Sequence, residues 1–464
     1  MLKRLVTALI LGILWGCGPK PPAPHPPLPP VPEKYQALSF SDFKKNTGPW
    51  WEAFDDPTLN QLVEKLLSQN FDLREQSARI EELVFLFKET RAAEFPALDF
   101  SFRGDKQRTV VLAPYFRGGG FITGRLTGSL AAKYEVDLWR KLARATKASR
   151  LRLLAEEENR QALAQSLIAE LVSKYLEGAF LSCELKVAQK EVRVQESYVR
   201  SLSTRYQKGL VEASILEEEK RLLATLKTDL SRLSREIKTR YQQIALLTAS
   251  YPGKESFSFG VCSLDLPPPP PGLPSELLLR RPDIRAARAK LLAAAQEAAA
   301  QQAARFPSLS LTASKGRISN ALNTLLRKRN RFWELAFGVT QPIFDAGKRK
   351  AAARAAKARF KAQEVAYART VLQAFFEVEN ALLYEGHLRA ELALAQAEEE
   401  AACREKELKE LRYRLGAASV LDYLKAKHFC LERKRKTLEA RKTLLLNRVS
   451  LYRALGGSWP IPKK

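Results

Sequence analysis

The 464-residue chain carries 77 Lys and Arg against 51 Asp and Glu, a formal net charge of +26, and three histidines. Charge of that size invites a nucleic-acid reading, but no helix-turn-helix, zinc-finger or RNP motif accompanies it. His25, His387 and His428 stand apart from any CxxC, HExxH or Gly-rich phosphate loop, so no nucleic acid partner, catalytic constellation, metal site or cofactor is expected.

The chain opens with Lys3 and Arg4, an apolar run from Leu5 to Trp15, and Gly16-Cys17. The run is too short for a permanent membrane span, and the small residue before Cys17 suits a cleavage site, which makes 1–16 a signal peptide. Leu14-Trp15-Gly16-Cys17 resembles the bacterial lipobox, in which the cysteine becomes the new N-terminus and carries a covalent lipid. Trp15 departs from that pattern, which usually has a smaller residue there. Gly18 stands where an inner-membrane retention signal would have Asp, so the resemblance favours the outer membrane. Residues 17–50 then form a tether, because Pro19 to Pro32 is mostly proline and favours extended polyproline conformations. Cys183, Cys262, Cys403 and Cys430 have no CxxC spacing and no obvious pairing scheme, and are expected as small buried hydrophobes.

A first repeat is expected over 51–250. Asp56-Pro57-Thr58 starts a helix through Leu66, with proline early as helix starts prefer. A second helix runs from Phe71 to Ala93 and stops at Phe95-Pro96. Leu98, Phe100 and Phe102 then alternate with Asp99, Ser101 and Arg103, a tract around Pro114 and Gly118-Gly119-Gly120 turns, and a strand from Phe121 returns antiparallel. That second strand sets Ile122, Leu126, Leu130, Tyr134 and Val136 on one face and Thr123, Arg125, Thr127, Ser129, Lys133 and Glu135 on the other. Past Asp137-Leu138-Trp139 the spacing turns helical, with Leu163, Leu167, Leu171 and Tyr175 four residues apart, and no strong breaker appears before Lys208-Gly209. A helix of that length extends roughly 100 Å, so its apolar stripe needs other rods to lie against. Another helix is expected from Ser214 to Thr248.

Residues 251–274, with Pro267 to Pro271, read as a linker. Beyond it, over 275–464, the programme repeats. Phe95-Pro96-Ala97-Leu98 matches Phe306-Pro307-Ser308-Leu309, Val136-Asp137 matches Phe344-Asp345, and Arg205-Tyr206-x-x-Gly209 matches Arg412-Tyr413-x-x-Gly416. Ser214 is paired with Ser419, which makes the second turn two residues shorter. Strands are expected at about 308–314 and 332–344, a long helix at 346–415 and a last helix at 420–455. The fold class is therefore mostly α with membrane β, in two tandem repeats of a strand pair plus a long helical hairpin. Four strands with an apolar outer face leave open edges, so several chains must pool their strands into a barrel.

Arg281-Pro282-Asp283-Ile284, Phe306-Pro307-Ser308-Leu309, Gln341-Pro342-Ile343-Phe344-Asp345-Ala346-Gly347 and Arg412-Tyr413-x-x-Gly416-x-x-Ser419-x-Leu421-Asp422 together resemble the TolC-like outer-membrane efflux proteins, in their lipidated NodT-type branch. The resemblance covers nearly the whole mature chain and both repeats. It implies a homotrimer with one 12-stranded β-barrel continuous with an α-helical periplasmic tunnel. Such a duct is passive and not an enzyme, and it docks with a periplasmic adaptor protein and an inner-membrane pump. Leu98, Phe100 and Phe102 would face lipid, and Asp99, Ser101 and Arg103 the lumen.

By the same resemblance, the two helix-helix turns form the adaptor-docking tip: Arg205, Tyr206, Gly209 and Ser214 in the first, Arg412, Tyr413, Gly416 and Ser419 in the second. Gly209 and Gly416 suit positive φ, and Ser214 and Ser419 are placed to cap the following helices. The resemblance places a gate at Leu421, as a hydrophobic ring, and at Asp422, as an acidic ring, with Glu217 the first-repeat counterpart of Asp422. Lys425 departs from relatives that have aspartate there, so the charge at the constriction is expected to be reversed. The expected cargo is small molecules such as drugs or metals, passed on by a resistance-nodulation-division pump. The exit duct of a type I protein secretion system stays open. So does a non-conducting, lipid-anchored periplasmic coiled-coil scaffold, which would leave the amphipathic strands without a role.

Overall fold

The structure is a computed structural model that describes residues 18–32, 35, 49–110, 120–253, 257–260, 265–268 and 274–457. The signal segment, Cys17, Cys262, the tract around Pro114 and Pro269 to Pro271 lie outside these residues. The chain divides into two units, one of Met1–Pro27, Arg79–Glu157 and Ala286–Ala368, the other of Leu28–Ala78, Glu158–Arg285 and Arg369–Lys464.

Helices α1 (Pro57–Gln69) and α2 (Phe71–Ala92) lead into β1 (Ala97–Val110), β2 (Gly120–Val136), α3 (Lys141–Gln207) and α4 (Ala213–Leu247). The second half repeats the order with α5 (Pro274–Arg280), α6 (Pro282–Ala303), β3 (Ser308–Ser319), β4 (Arg331–Thr340), α7 (Lys348–Arg414) and α8 (Val420–Ala454). β4 ends earlier than expected, at Thr340 rather than Phe344. Pro342 has no N–H to continue a ladder, and Ile343 and Phe344 stand exposed.

The pairing of the two repeats expected from their motifs needs one correction, since α3 and α7 are each 67 residues and α4 and α8 each 35. Both turns are the same length, Lys208 to Glu212 and Leu415 to Ser419. The two serines therefore stand at different distances from their turns. Glu212, not Ser214, is the counterpart of Ser419, and Asp422 corresponds to Ile215 rather than Glu217. Lys425 falls opposite Glu218.

In the first unit the sheet order is β1-β2-β3-β4, antiparallel throughout. The register lays Phe100 beside Leu130 and Leu311 beside Phe337, so one face is apolar across all four strands. Trp333, Leu335 and Phe337 on that face are 74% or more exposed. The other face is polar: Arg125 lies 3.6 Å from Asp105, Lys133 lies 3.7 Å from Asp99, and the Ser101 and Ser129 hydroxyls are 3.1 Å apart. The same unit holds the strand-to-helix corners. Asp137 accepts from the Ala143 N–H at 2.8 Å, and Asp345 accepts from the Gly347 and Arg349 N–H groups, so the repeated Asp caps each rod. Trp139 Nε1 donates to the Pro307 carbonyl at 2.7 Å and its ring stacks on Phe306, which ties the first corner to the Phe-Pro motif of the second repeat.

The second unit is helical. Asp56 caps α1 through the Thr58 and Leu59 N–H groups and accepts from the Tyr175 hydroxyl at 2.6 Å. Around them Trp50, Trp51, Phe54, Leu59 and Leu66 pack on Leu171, Tyr175 and Tyr452. The apolar stripe read at Leu167, Leu171 and Tyr175 is buried here. Among the described residues no helix is long and apolar enough to cross a membrane.

Candidate functional site

Each turn is closed by the same backbone device. Leu210 N–H donates to the Arg205 carbonyl and Gly209 N–H to the Tyr206 carbonyl, both at 2.9 Å; Ala417 and Gly416 do the same to Arg412 and Tyr413 at 2.8 and 3.0 Å. Paired bonds of this kind define a Schellman cap, whose turning residue needs positive φ. Gly209 and Gly416 have φ of +70° and +74°. The Arg-Tyr-x-x-Gly motif is therefore a helix stop, with Arg and Tyr supplying the two accepting carbonyls.

The helix starts differ between the turns. Ser419 is the N-cap of α8, accepting from Leu421 N–H at 3.2 Å, and Asp422 completes a capping box by accepting from Ser419 N–H at 3.3 Å. Ser214 does not cap α4. The N-cap there is Glu212, whose side chain makes no capping bond, and Ser214 sits inside the first turn with its hydroxyl donating to Glu212 at 3.2 Å. One of the two expected serine caps is thus absent because the turns have equal length.

The two turns meet within the second unit. Arg205 donates to the Ser419 hydroxyl at 2.9 Å, and Tyr413 stacks on Tyr423 at 5.9 Å between ring centroids. Beneath them Val194, Tyr198, Leu202, Leu216 and Leu424 form a buried cluster that Leu421 packs against. Lys425 is exposed and holds its ammonium 5.7 Å from the Tyr198 ring centroid. A hydrogen bond to the Tyr198 hydroxyl, with Glu219 and Asp422 nearby, raises the Lys425 pKa above the ordinary lysine value and keeps it cationic. Glu217 instead pairs with Lys220 on its own helix at 2.7 Å. Leu210 and Leu415, next to the two turning glycines, are 69% and 73% exposed.

The outer membrane efflux protein model matches residues 62–250 and 273–457, one stretch in each repeat. The chain belongs to that family. This efflux protein is 26% identical over 465 residues to the cation efflux system protein CusC of Escherichia coli O6:H1, covering 98% of this chain and 99% of that one. It is 28% identical over 470 residues to the probable efflux pump outer membrane protein TtgC of Pseudomonas putida, covering 99% and 96%. Among solved structures, the open-state MtrE outer membrane channel of Neisseria gonorrhoeae superposes with a TM-score of 0.83 at 28% identity, over 95% of this chain and 98% of that one. The protein is an outer-membrane efflux channel component, and its family is one of channels rather than enzymes.

Other family motifs in the efflux protein are structural clasps. Arg281, nearly buried, grips Asp283 through Nε and a guanidinium nitrogen at 3.0 and 2.7 Å, and reaches Glu377 at 2.8 Å and the Ala454 carbonyl at 2.9 Å. The Arg-Pro-Asp motif thereby locks α6 to α7 and to the end of α8. Two features were not legible as sites. Cys403 and Cys430 form a disulfide between α7 and α8, with a Cα separation of 4.8 Å, and Cys183 is also disulfide-bonded, which corrects the expectation that these cysteines are free hydrophobes. Their spacing in sequence carries no sign of it, because two antiparallel rods bring residues together by distance from the turn. Arg435 on α8 binds Glu184, Glu191 and Asp229 from two other helices. Among the described residues no His, Cys, Asp or Glu group could hold a metal ion.

Proposed function

We propose that three copies of this chain pool their strands into a closed 12-stranded barrel and their rods into one periplasmic tunnel. The duct is passive and takes small molecules from an inner-membrane pump through a periplasmic adaptor. The observation that carries this reading is the sheet: four strands with an exposed apolar face and a polar face, whose outer edges on β1 and β4 have no partner strand among the described residues. Three such sheets make a barrel of ordinary size. A heat-modifiable trimer in outer-membrane fractions that conducts ions in planar bilayers is the expected result; a non-conducting monomer overturns it.

The adaptor docks on the paired turns, where exposed Leu210, Leu415, Tyr206 and Tyr413 offer apolar anchors among charged groups. Leu421, Asp422 and Lys425 line the gate. Three Lys425 ammonium groups in one constriction disfavour cations, so Lys425→Asp shifts bilayer selectivity toward cations. Unchanged selectivity removes Lys425 from the lumen. Asp422 needs a cap-preserving test, Asp422→Asn, because Asp422→Ala also weakens the start of α8.

Cys17 carries the covalent lipid. Supporting this, a Cβ on Gly18 would collide with the Trp139 carbonyl oxygen, so the chain that follows Cys17 lies against the strand-to-helix corner, where acyl chains can enter the inner leaflet. Mass spectrometry of the mature N-terminus tests this: an unmodified Cys17 refutes it. The relatives' names include a cation efflux protein and a general efflux pump component, so cargo follows from the adaptor and pump rather than from the duct.

A further inference from the structure

The apolar face of the sheet changes character at the hairpin end. From the register, Lys106, Arg108, Lys315, Arg317 and Arg331 all fall on the same face as Phe100, Leu130, Trp333 and Phe337; Lys315 is level with Leu130 and Trp333, and the other four lie nearer the hairpin end. No Asp or Glu occupies that face anywhere on the four strands, whereas the opposite face carries Asp99, Asp105, Glu135 and Glu334. On the polar face Arg125 and Lys133 have the carboxylates of Asp105 and Asp99 on the neighbouring strand; the cations of the apolar face have none on the four strands. Arg317 and Arg331 are even direct cross-strand partners, a like-charge apposition that a sheet disfavours. One guanidinium nitrogen of Arg317 is buried with no hydrogen-bond partner among the described residues. The turn between β3 and β4 adds an exposed Arg327-Lys328-Arg329 run.

All four strands join helices at the end opposite these cations, and Gly18 lies at that helix-joined end. The cationic belt is therefore at the outward end of the barrel, with Trp333 at the boundary as interfacial aromatics are placed. A repelling arginine pair without a carboxylate needs its counter-charge from outside the protein, at headgroup depth, where phosphates meet basic side chains.

We propose that this belt binds the phosphates of the lipopolysaccharide lipid A in the outer leaflet, clasping each barrel wall to phosphorylated glycolipid. The inference rests on the barrel reading above. The test titrates the detergent-purified full chain with bisphosphorylated lipid A, with its dephosphorylated form, and with inorganic phosphate alone, and measures conductance on the same preparations.

Wild type should bind phosphorylated lipid A at least tenfold more tightly than the dephosphorylated form, and inorganic phosphate weakly. The triple variant Lys315→Gln, Arg317→Gln, Arg331→Gln should lose that preference. Arg103→Gln on the polar face should keep it, and Arg331→Lys should retain most of it. In lipid-free detergent Arg331→Gln alone should raise the unfolding temperature, since the like-charge pair is relieved, so a folding defect is distinguishable from lost binding. Equal affinity of wild type for both lipid A forms, an unaltered triple variant, or inorganic phosphate binding as tightly as lipid A overturns the proposal. Loss of conductance by wild type overturns the barrel reading instead, whatever the lipid titration gives.

Discussion

Arg435→Met removes the one cation that three carboxylates share. Arg435 lies 2.6 Å from Glu184, 3.2 Å from Glu191 and 2.6 Å from Asp229, which places a guanidinium of α8 against α3 and α4. Glu191 is 1% exposed and its second oxygen has no hydrogen-bond partner among the described residues, so it cannot turn to water when Arg435 goes. Asp229 keeps Arg232 at 2.6 Å, and Glu184 is one-fifth exposed, so both can be rescued in part. Removing one partner of a buried pair costs roughly 3–5 kcal/mol, and with two of three carboxylates partly rescued the loss here should be about 3 kcal/mol. Glu191→Gln in the Arg435→Met background should recover about 1–2 kcal/mol, because the stranded charge is gone. Burial already holds the Glu191 carboxyl above the usual carboxylate value despite Arg435. A raised folded-state pKa gives stability that is present below the unfolded value and lost as pH rises, so the penalty of Arg435→Met should be smaller near about pH 5 than near about pH 8. Unfolding of the purified protein followed by circular dichroism, with amide exchange over residues 184–191, measures both. A loss below about 1 kcal/mol, or no recovery with Glu191→Gln, refutes the view that this cluster is a buried clasp.

Gly416→Ala puts a Cβ where no atom lies within 4 Å, so its cost is backbone strain alone at φ of +74°, about 1–2 kcal/mol; faster amide exchange at Gly416 and Ala417 with an unchanged core is the expected sign. Trp139→Phe keeps the stacking ring but loses the bond to the Pro307 carbonyl, which should cost about 1 kcal/mol and lower the temperature of heat modification. Cys403→Ser opens a loop closed across 27 residues, which should cost up to about 3–4 kcal/mol by the chain-entropy model, and reductant should lower the stability of wild type more than that of the variant, which keeps the Cys183 disulfide.

The strands and rods were legible because each is written in a period: two in Leu98 to Arg103 and Ile122 to Val136, helical in Leu163 to Tyr175. The stops were legible too, since Gly209 and Gly416 need a conformation other residues resist. What could not be read was anything set by lateral neighbours. The partners of Arg435, the Cys403–Cys430 pair and the β2–β3 pairing join residues far apart in sequence, and no local pattern marks them. Ser214 shows the opposite failure. It is a good capping residue two positions from the true cap, and residue type alone does not reveal that the turns have equal length.

That equality changes what the two turns can do. The position of Lys425 in the second repeat is filled by Glu218 in the first, and the Ser419–Asp422 capping box has no first-repeat equivalent. The second hairpin is therefore fastened at its turn and stapled along its rods by Cys403–Cys430, while α4 begins without a side-chain cap at Glu212. At the turns themselves the pair is coupled by Arg205 donating to Ser419, the residue that also starts α8, above the buried cluster the two hairpins share. A side chain that caps one helix while receiving an arginine from the neighbouring turn cannot relax independently of it. Movement at the paired turns should then begin in the first hairpin, at the α4 start, with the second hairpin following once the Arg205–Ser419 bond breaks. Arg205→Met should accordingly increase exchange around residues 208–216 more than around 415–423. Equal increases in both turns would show that the hairpins are not mechanically distinct.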